Sequence, residues 1–448
     1  MKVIQLCALS AGDRCAAAAH KGNRFWRMAA GESCQKGRNA MSEAETHGPR
    51  LYRNTEKMMA YSLPNWTAAE DAGLIALHAT SSPDGSLVER SSGRQFINMS
   101  SYSYLGLNRH PAVIQGAIDA LREEQIIELG IAPTRIQSSL MYDVQERFST
   151  LFDAQCFLAI SCSVATAALL PLVTSGALID GKPRVTVFDK RAHFCMDLMK
   201  PVCADEAPVF ISPYNDMNYL EDLCKKHPRV AYIADGAYST GGMADMDALL
   251  ELQDRYGLFL WLDDSHAMSV IGTKGEGFVR SRVDELNPLT LITGSLVKGF
   301  GCTGGIIMTG RQDIGRIVNT MAGPMCWSQT MSTANLGSVR ACIDIHEGPE
   351  LALLQGKLRE NLAYFDQRVP TAQTGSQMPV RMLILGDPGL SVSLSNTLLD
   401  NGFYVAPVYF PTTARGKEGL RVMIRADVER PDLERLCDLL DKHVVPHG

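Results

Sequence analysis

Two stretches of the chain carry residue types that can do chemistry together. The first is Leu262-Asp263-Asp264-Ser265-His266, where an apolar run ends in two acids and a histidine. An acid at a strand end can pair with a cationic ring nitrogen, and a histidine three residues on can reach a neighbouring oxygen. Read alone, the stretch is equally a loop whose acids cap a helix or face water. The second runs from Thr293 to Gly305 and sets Lys298 among Ser295, Gly299, Gly301, Gly304 and Gly305, directly after another apolar run. Lysine amines form Schiff bases with carbonyls, and glycines let backbone approach a ligand closely. A lone loop lysine is ordinarily solvated. The pairing changes that reading, because Asp263 and Lys298 lie 35 residues apart and close two consecutive runs. A lysine for an aldehyde, an acid for a pyridine nitrogen and small residues for a phosphate are what pyridoxal 5'-phosphate (PLP) requires.

These residues need a frame. Short strand-like runs occur at 157–160, 185–188, 209–211, 230–234, 258–262 and 289–292. Several are apolar throughout and separated by helical or loop segments, the pattern of a mostly parallel sheet buried on both faces. Ligands of such sheets sit at the carboxyl ends of strands, where both stretches fall. Before the sheet, Val113, Ile114, Ala117, Ile118 and Leu121 make one helical stripe after Pro111. Beyond residue 330 the spacing predicts a long helix over 332–369. Strands at 380–385, 404–410 and 420–424 and a final helix over 431–443 follow, as in a smaller α+β domain. The expected divisions are a tail at 1–50, an N-terminal arm at 51–110, a large domain at 111–330 and a small one at 331–448.

Bulk properties agree with an ordinary globular protein of two or three domains: 448 residues, 46% hydrophobic and 21% charged. A formal net charge of −6 argues against nucleic-acid or anionic-membrane binding. No apolar run reaches the roughly 18 residues of a membrane span. The twelve cysteines form no Cys-x-x-Cys pair and none sits by a histidine at zinc spacing. Idle thiols in a reducing cytoplasm, with no metal, are therefore expected. Residues 1–50 are rich in Ala, Gly and basic residues and fit a signal peptide poorly. They read as a disordered tail, and Met41 is a candidate start.

The chain resembles the α-oxoamine synthases, PLP enzymes of fold type I, from about Gly93 to His443. The motifs that carry the resemblance are Asp263-Asp264-Ser265-His266 followed by Gly272 and Gly275-Glu276-Gly277, and Lys298-Gly299-Phe300-Gly301 with Gly304-Gly305. Tyr104-Leu105-Gly106-Leu107, Asp189 through His193, Asn215-Asp216, and Tyr404 through Pro411 leading into Leu420-Arg421-Val422 also match. The resemblance implies an aspartate-aminotransferase-like α/β fold, with a large domain on a seven-stranded, mainly parallel sheet and a small C-terminal α+β domain. It also implies a homodimer with shared active sites.

Roles follow from the same resemblance. Lys298 would hold PLP as a Schiff base and then remove the substrate's α-proton. Asp263 would keep the pyridine nitrogen protonated, His266 would bond the ring's phenolic oxygen, and His193 would stack on the ring. Ser239 matches a cofactor-contacting serine and Ser295 a phosphate-binding threonine. Arg421 matches the arginine that holds the amino-acid carboxylate, a task suited to a planar fork of donors. Ser328 to Thr330 matches a segment that reaches the partner's phosphate.

Three departures stand out. Ser161-Cys162-Ser163-Val164-Ala165-Thr166 replaces Ser-Gly-aromatic-x-Ala-Asn at the helix that cradles the phosphate. That helix start can still bind phosphate through its amides near Cys162, with the Ser163 hydroxyl added. The substrate-side stretch 131–142, which includes Arg135, lacks the family's glycines and histidine. Ser103 stands where asparagine is usual, and Asp427-Val428 replaces an Ala-His pair. The implied reaction is decarboxylative condensation of an α-amino acid with an acyl thioester, carried by CoA or an acyl carrier protein. Another PLP reaction on the same frame, such as transamination, aldol addition or elimination, is the alternative, followed by a non-catalytic partner subunit.

Overall fold

The computed structural model describes residues 55–443. The tail read at 1–50, the candidate start at Met41 and residues 444–448 lie outside the described residues. Seven strands form the central sheet: β4 (Gln155–Ala159), β5 (Val185–Asp189), β6 (Val209–Ser212), β7 (Val230–Asp235), β8 (Phe259–Asp263), β9 (Thr290–Ser295) and β10 (Gly305–Thr309). Their order is β4-β10-β9-β8-β7-β5-β6. All neighbours are parallel except β10, which runs antiparallel to both β4 and β9. Every residue of β5, β7 and β8 is buried, because helices cover both faces, as continuous apolar runs require.

Six of these strands lie where the apolar runs point. The seventh, β10, was not expected, since its Gly-Gly start reads as part of the lysine loop. Three parallel neighbours, β5, β7 and β8, each end in aspartate: Asp189, Asp235 and Asp263. Three acids are thereby gathered at one carboxyl edge, where a ligand would sit.

Two other expectations are refined. The single helix over 332–369 is two, Thr333–Glu347 and Glu350–Arg368, broken at Gly348-Pro349. Proline has no amide hydrogen to give and disfavours helical backbone in the residue before it. The single strand over 404–410 is also two. β12 (Phe403–Tyr404) runs parallel to β3 (Gln95–Asn98) at the edge of a four-stranded sheet that β1 (Ala79–Ser81) and β2 (Leu87–Glu89) complete. β13 (Pro407–Val408) joins a three-stranded sheet with β11 (Val380–Ile384) and β14 (Gly419–Met423). The chain after residue 400 thus reaches both the N-terminal strands and the strand that carries Arg421.

The helix Pro111–Glu124 forms as its spacing predicts, yet its stripe is only partly covered. Val113 and Ala120 are buried, whereas Ile114, Ile118 and Leu121 are exposed. This helix crosses the helix Thr333–Glu347 at glycine on glycine. A Cβ added to Gly116 would come within 2.6 Å of the Gly337 carbonyl oxygen. The buried contact is made by small residues, which leaves the large ones outside.

Candidate active site

The lysine turn is held from behind. A Cβ on Gly301, which has φ +67°, would collide with the Asn108 amide, and one on Gly299 with the Met268 carbonyl. Phe300 stacks on His346 with ring centroids 4.1 Å apart, and His346 is fixed in turn by Ser269 Oγ at 2.9 Å. Gly299 and Phe300 are buried, and Lys298 before them is half-buried. No hydrogen bond or ion pair ties its amine to another described side chain, yet its charge acts on Asp235, His193 and His266. The amine therefore shares their pocket.

Asp263 ends β8 and is buried. Its Oδ1 accepts the Ser265 amide at 2.9 Å, and Oδ2 receives the Cys162 thiol at 3.4 Å. The neighbouring Asp264 faces the other way, accepting the Val279 amide at 2.9 Å. Burial pushes its carboxyl up to about 7. The two acids thus divide: Asp263 borders the pocket and Asp264 ties down the following turn. His266 is buried, and its Nδ1 meets the Tyr104 hydroxyl at 2.7 Å. Burial, with the charges of Lys298 and Arg421, holds the imidazole well below its ordinary range, so it is neutral. Burial also keeps the Tyr104 phenol protonated. Donation from Tyr104 to Nδ1 then puts the imidazole's one proton on Nε2.

His193 follows β5. Its amide donates to Asp235 Oδ2 at 2.8 Å, and its Nδ1 lies 3.1 Å from Cys195 Sγ. Asp235 is held well above the usual carboxylate range by burial and by the charge of Asp263. The hydrogen bond from the Cys162 thiol and the adjoining His193 bring the Cys195 thiol down to about 6, whereas Cys162 is held up by Cys195, burial and the nearby carboxylate of Asp263. The nine cysteines among the described residues are all free and buried.

Arg421, in β14, donates to the Tyr102 hydroxyl at 2.7 Å and to the Ser239 carbonyl at 3.4 Å. Tyr102 meets His266 edge to face at 6.3 Å, which joins the arginine to the pocket. Ser295 enters through its amide, which donates to Ser265 Oγ at 2.8 Å. Ser161 caps the helix Cys162–Thr174 by accepting the Val164 amide, and Ser163 stands exposed beside it.

The contacts therefore join Asp263, His266, His193, Cys162, Ser239, Ser295 and Arg421, and Lys298 lies near enough for its charge to act on His193 and His266. They do not draw in the remaining candidates. The Ser103 hydroxyl is buried and accepts the Asn108 amide at 3.3 Å; it is the adjacent Tyr102 that reaches Arg421. Arg135 is exposed, with its guanidinium 5.9 Å over the Trp327 ring. Ser328 bonds Gln329, and Thr330 the Met331 carbonyl. Residues missed in the sequence are Tyr102, Asp235 and Cys195, and Tyr104 is there only as part of a motif, without a role. Aspartate recurring at strand ends was the available signal for Asp235, and the two-residue spacing from His193 was the signal for Cys195.

The pocket suits PLP. It offers an unpartnered amine, a buried carboxylate with one weakly engaged oxygen, a neutral histidine and a helix start at Cys162 with free amides. Comparisons with known proteins agree. Among solved structures, serine palmitoyltransferase from S. paucimobilis with a bound PLP–myriocin aldimine superposes with a TM-score of 0.74. It is 16% identical and covers 87% of this chain and 97% of its own. The 8-amino-7-oxononanoate synthase from Francisella tularensis superposes with 0.63 at 15% identity, over 78% and 98%. These establish the fold of the PLP-dependent aminotransferases. The family described as aminotransferase class I and II matches residues 206–440. The 8-amino-7-oxononanoate synthase of Maricaulis maris is 30% identical over 369 residues, 80% of this chain and 88% of that one. Serine palmitoyltransferase of Bacteriovorax stolpii is 26% identical over 355 residues, 78% and 82% of the two chains. The chain belongs to the α-oxoamine synthases, within the aminotransferases of class I and II. It is an enzyme, and its cofactor is PLP. Among the described residues no helix is long and apolar enough to cross a membrane.

Proposed function

We propose that this enzyme condenses an α-amino acid with an acyl thioester, releasing CO2 and giving an α-oxoamine. The observation that carries the reading is the meeting of Lys298, Asp263 and His266 with an arginine, Arg421, joined to His266 through Tyr102. Bound PLP supplies an electron sink for the substrate's α-carbon. Arg421 holds the substrate carboxylate, exchanging its Tyr102 and Ser239 contacts for a paired set of charge-assisted bonds. Lys298 Nζ takes the α-proton as general base. With PLP bound, Asp263 would keep a proton on the pyridine nitrogen, and neutral His266 would donate Nε2–H to the ring's phenolic oxygen. Tyr104 enforces that tautomer. His193 covers the ring, its backbone steadied by Asp235. The helix start at Cys162 and Ser163, with Ser295, would hold the phosphate.

A homodimer is part of the proposal, with the large domain at 111–330 and the small one at 331–448. The segments around 126–136 and 321–330 lie together, since the Thr134 amide bonds the Cys326 carbonyl. They expose Ile127 at 75%, Met321 at 67% and Trp327 at 61%, apolar surface of the kind a partner covers. Ser328 and Thr330 lie on this rim and would meet the partner's phosphate, and Arg135, over Trp327, would border the thioester entrance. The proposal is tested in deuterium oxide. A suitable amino acid exchanges its α-hydrogen without any thioester, and product mass spectrometry over a panel of amino acids and thioesters then names the pair. Transfer of the amino group to a keto acid, with no thioester-dependent release of CO2, would replace condensation by transamination.

A further inference from the structure

The wall of the pocket around Asp263 holds donors that the proposed condensation does not use. Cys162 opens the helix Cys162–Thr174, and Cys195 lies two residues beyond His193. Neither thiol has a task in handling PLP, and Cys162 replaces a family glycine. Both are buried, as is Asp263. His193 Nδ1 lies 3.1 Å from Cys195 Sγ, and Cys162 Sγ lies 3.4 Å from Asp263 Oδ2. The two thiols are within hydrogen-bonding reach of each other. Single donor atoms of His193, Cys195 and Asp263 all fall within 4.8 Å of one another. Tetrahedral zinc, with ligand bonds of about 2.0–2.3 Å, sets its donors about 3.3–3.8 Å apart. One sulfur, an imidazole and a carboxylate therefore stand within reach of that spacing, and Cys162 Sγ, 3.4 Å from Asp263 Oδ2, is placed to turn in as the fourth donor. His193 Nδ1 accepts the Cys195 amide at 3.4 Å, a long bond that ligation of an ion would replace. The Ser265 amide fixes Asp263 through the other oxygen, the kind of outer bond that orients a ligating carboxylate.

We propose that the cofactor-free chain binds one divalent cation of the zinc class through Cys162, Cys195, His193 and Asp263, and that this ion and PLP exclude each other. The donor set selects the ion: sulfur and imidazole suit zinc, whereas magnesium and calcium require oxygen ligands. Mutual exclusion rests on the proposed site, in which Asp263 meets the pyridine nitrogen and His193 the ring face. Neither residue can face the ring and the ion together. The consequence is an enzyme whose loading with PLP depends on free zinc, although the proposed condensation calls for no metal.

Cobalt(II) is the probe. The full chain, stripped of PLP, should take up one equivalent and show the near-ultraviolet thiolate-to-cobalt band. The PLP-saturated chain should not. Cys162→Ala and Cys195→Ala should each weaken uptake roughly a hundredfold, as loss of a direct ligand exceeds the 10–100-fold cost of losing an outer partner. Cys156→Ala, a buried thiol in β4, should leave uptake unchanged. PLP uptake by each variant reports on its folding. Absence of the thiolate band, or uptake by either cysteine variant as tight as that of the native chain, overturns the site. Undiminished binding to the PLP-saturated chain overturns the exclusion. If no preparation binds PLP, it is the proposed function that fails, and the cobalt titration still decides the metal site.

Discussion

The two sides of the pocket are built differently. On the side of Asp263, His266 and Lys298, the groups are buried or half-buried and lie at the ends of neighbouring strands. Each is fixed by partners within the chain: Asp263 by Ser265, His266 by Tyr104, and the lysine turn by Phe300 on His346. On the side of residues 126–142 and 321–330, large apolar side chains face outward and Arg135 lies over Trp327. The first side is complete within one chain, whereas the second presents a surface. Proton abstraction should therefore tolerate changes that disable thioester use, and the reverse should not hold.

The largest effect that would break this comparison is at the lysine. Lys298→Ala should abolish turnover while the fold survives, since a half-buried, unpartnered amine adds little to packing. Borohydride reduction of the native chain should fix PLP on Lys298, as read by peptide mass spectrometry. Label on another lysine would displace the whole site. Next comes Asp263→Asn, which should lower turnover by about 100- to 1,000-fold, the scale of losing one fixed electrostatic group at a reaction centre. Asp264→Asn should cost far less, because that carboxyl serves the Val279 amide. Equal losses would mean that the wrong acid faces the ring.

Smaller effects sharpen the contrast. Arg421→Ala should weaken amino-acid binding by about 2–3 kcal/mol, the cost of a lost charged hydrogen-bond partner. Spectral titration with amino acid alone would measure it. Arg135→Ala and Trp327→Ala should leave α-hydrogen exchange at the native rate and raise KM for the thioester. Slowed exchange would show that the two sides are one. Given the altered stretch at 131–142, an acyl group on a carrier protein should outperform the same group on CoA in kcat/KM.

The smallest effect concerns stability. Asp264 titrates at about 7 when folded, against the ordinary 3.8. Between those values the folded state binds more protons than the unfolded one. This group's contribution to stability is therefore full below about pH 4 and falls as pH rises to about 7. Asparagine cannot titrate. The Tm difference between Asp264→Asn and the native chain should move in the variant's favour across that window and be flat above it. A difference independent of pH would show that Asp264 is ionised in the fold throughout.

Much of the frame was legible because it is local. A parallel strand buried on both faces must be apolar throughout, so β5, β7, β8 and β9 could be read as runs. β10 was hidden because its glycines serve the lysine loop before it. The break at Gly348-Pro349 was visible in the residues but lost to the helical spacing on either side. The stripe on the helix Pro111–Glu124 shows the limit of periodicity. It gives the helix but not which apolar residues are covered, because Gly116 and Gly337 make the crossing.

By itself the sequence determined most of the strands and the helical stretches after Pro111, beyond residue 330 and at 431–443, and it singled out Asp263, His266 and Lys298 through the pairing of two strand-ending motifs. Those signals depend on neighbours within a few residues or on two elements in succession. Tertiary structure decided everything that joins distant segments. It set Tyr104 against His266 across 162 residues, brought Tyr102 to Arg421 across 319, and turned Asp263 inward while Asp264 faces the Val279 amide. It also set Cys162 beside Cys195, His193 and Asp263. Hydrogen bonds and metal ligation depend on separation in space to within fractions of an ångström, and separation along the chain does not fix that distance.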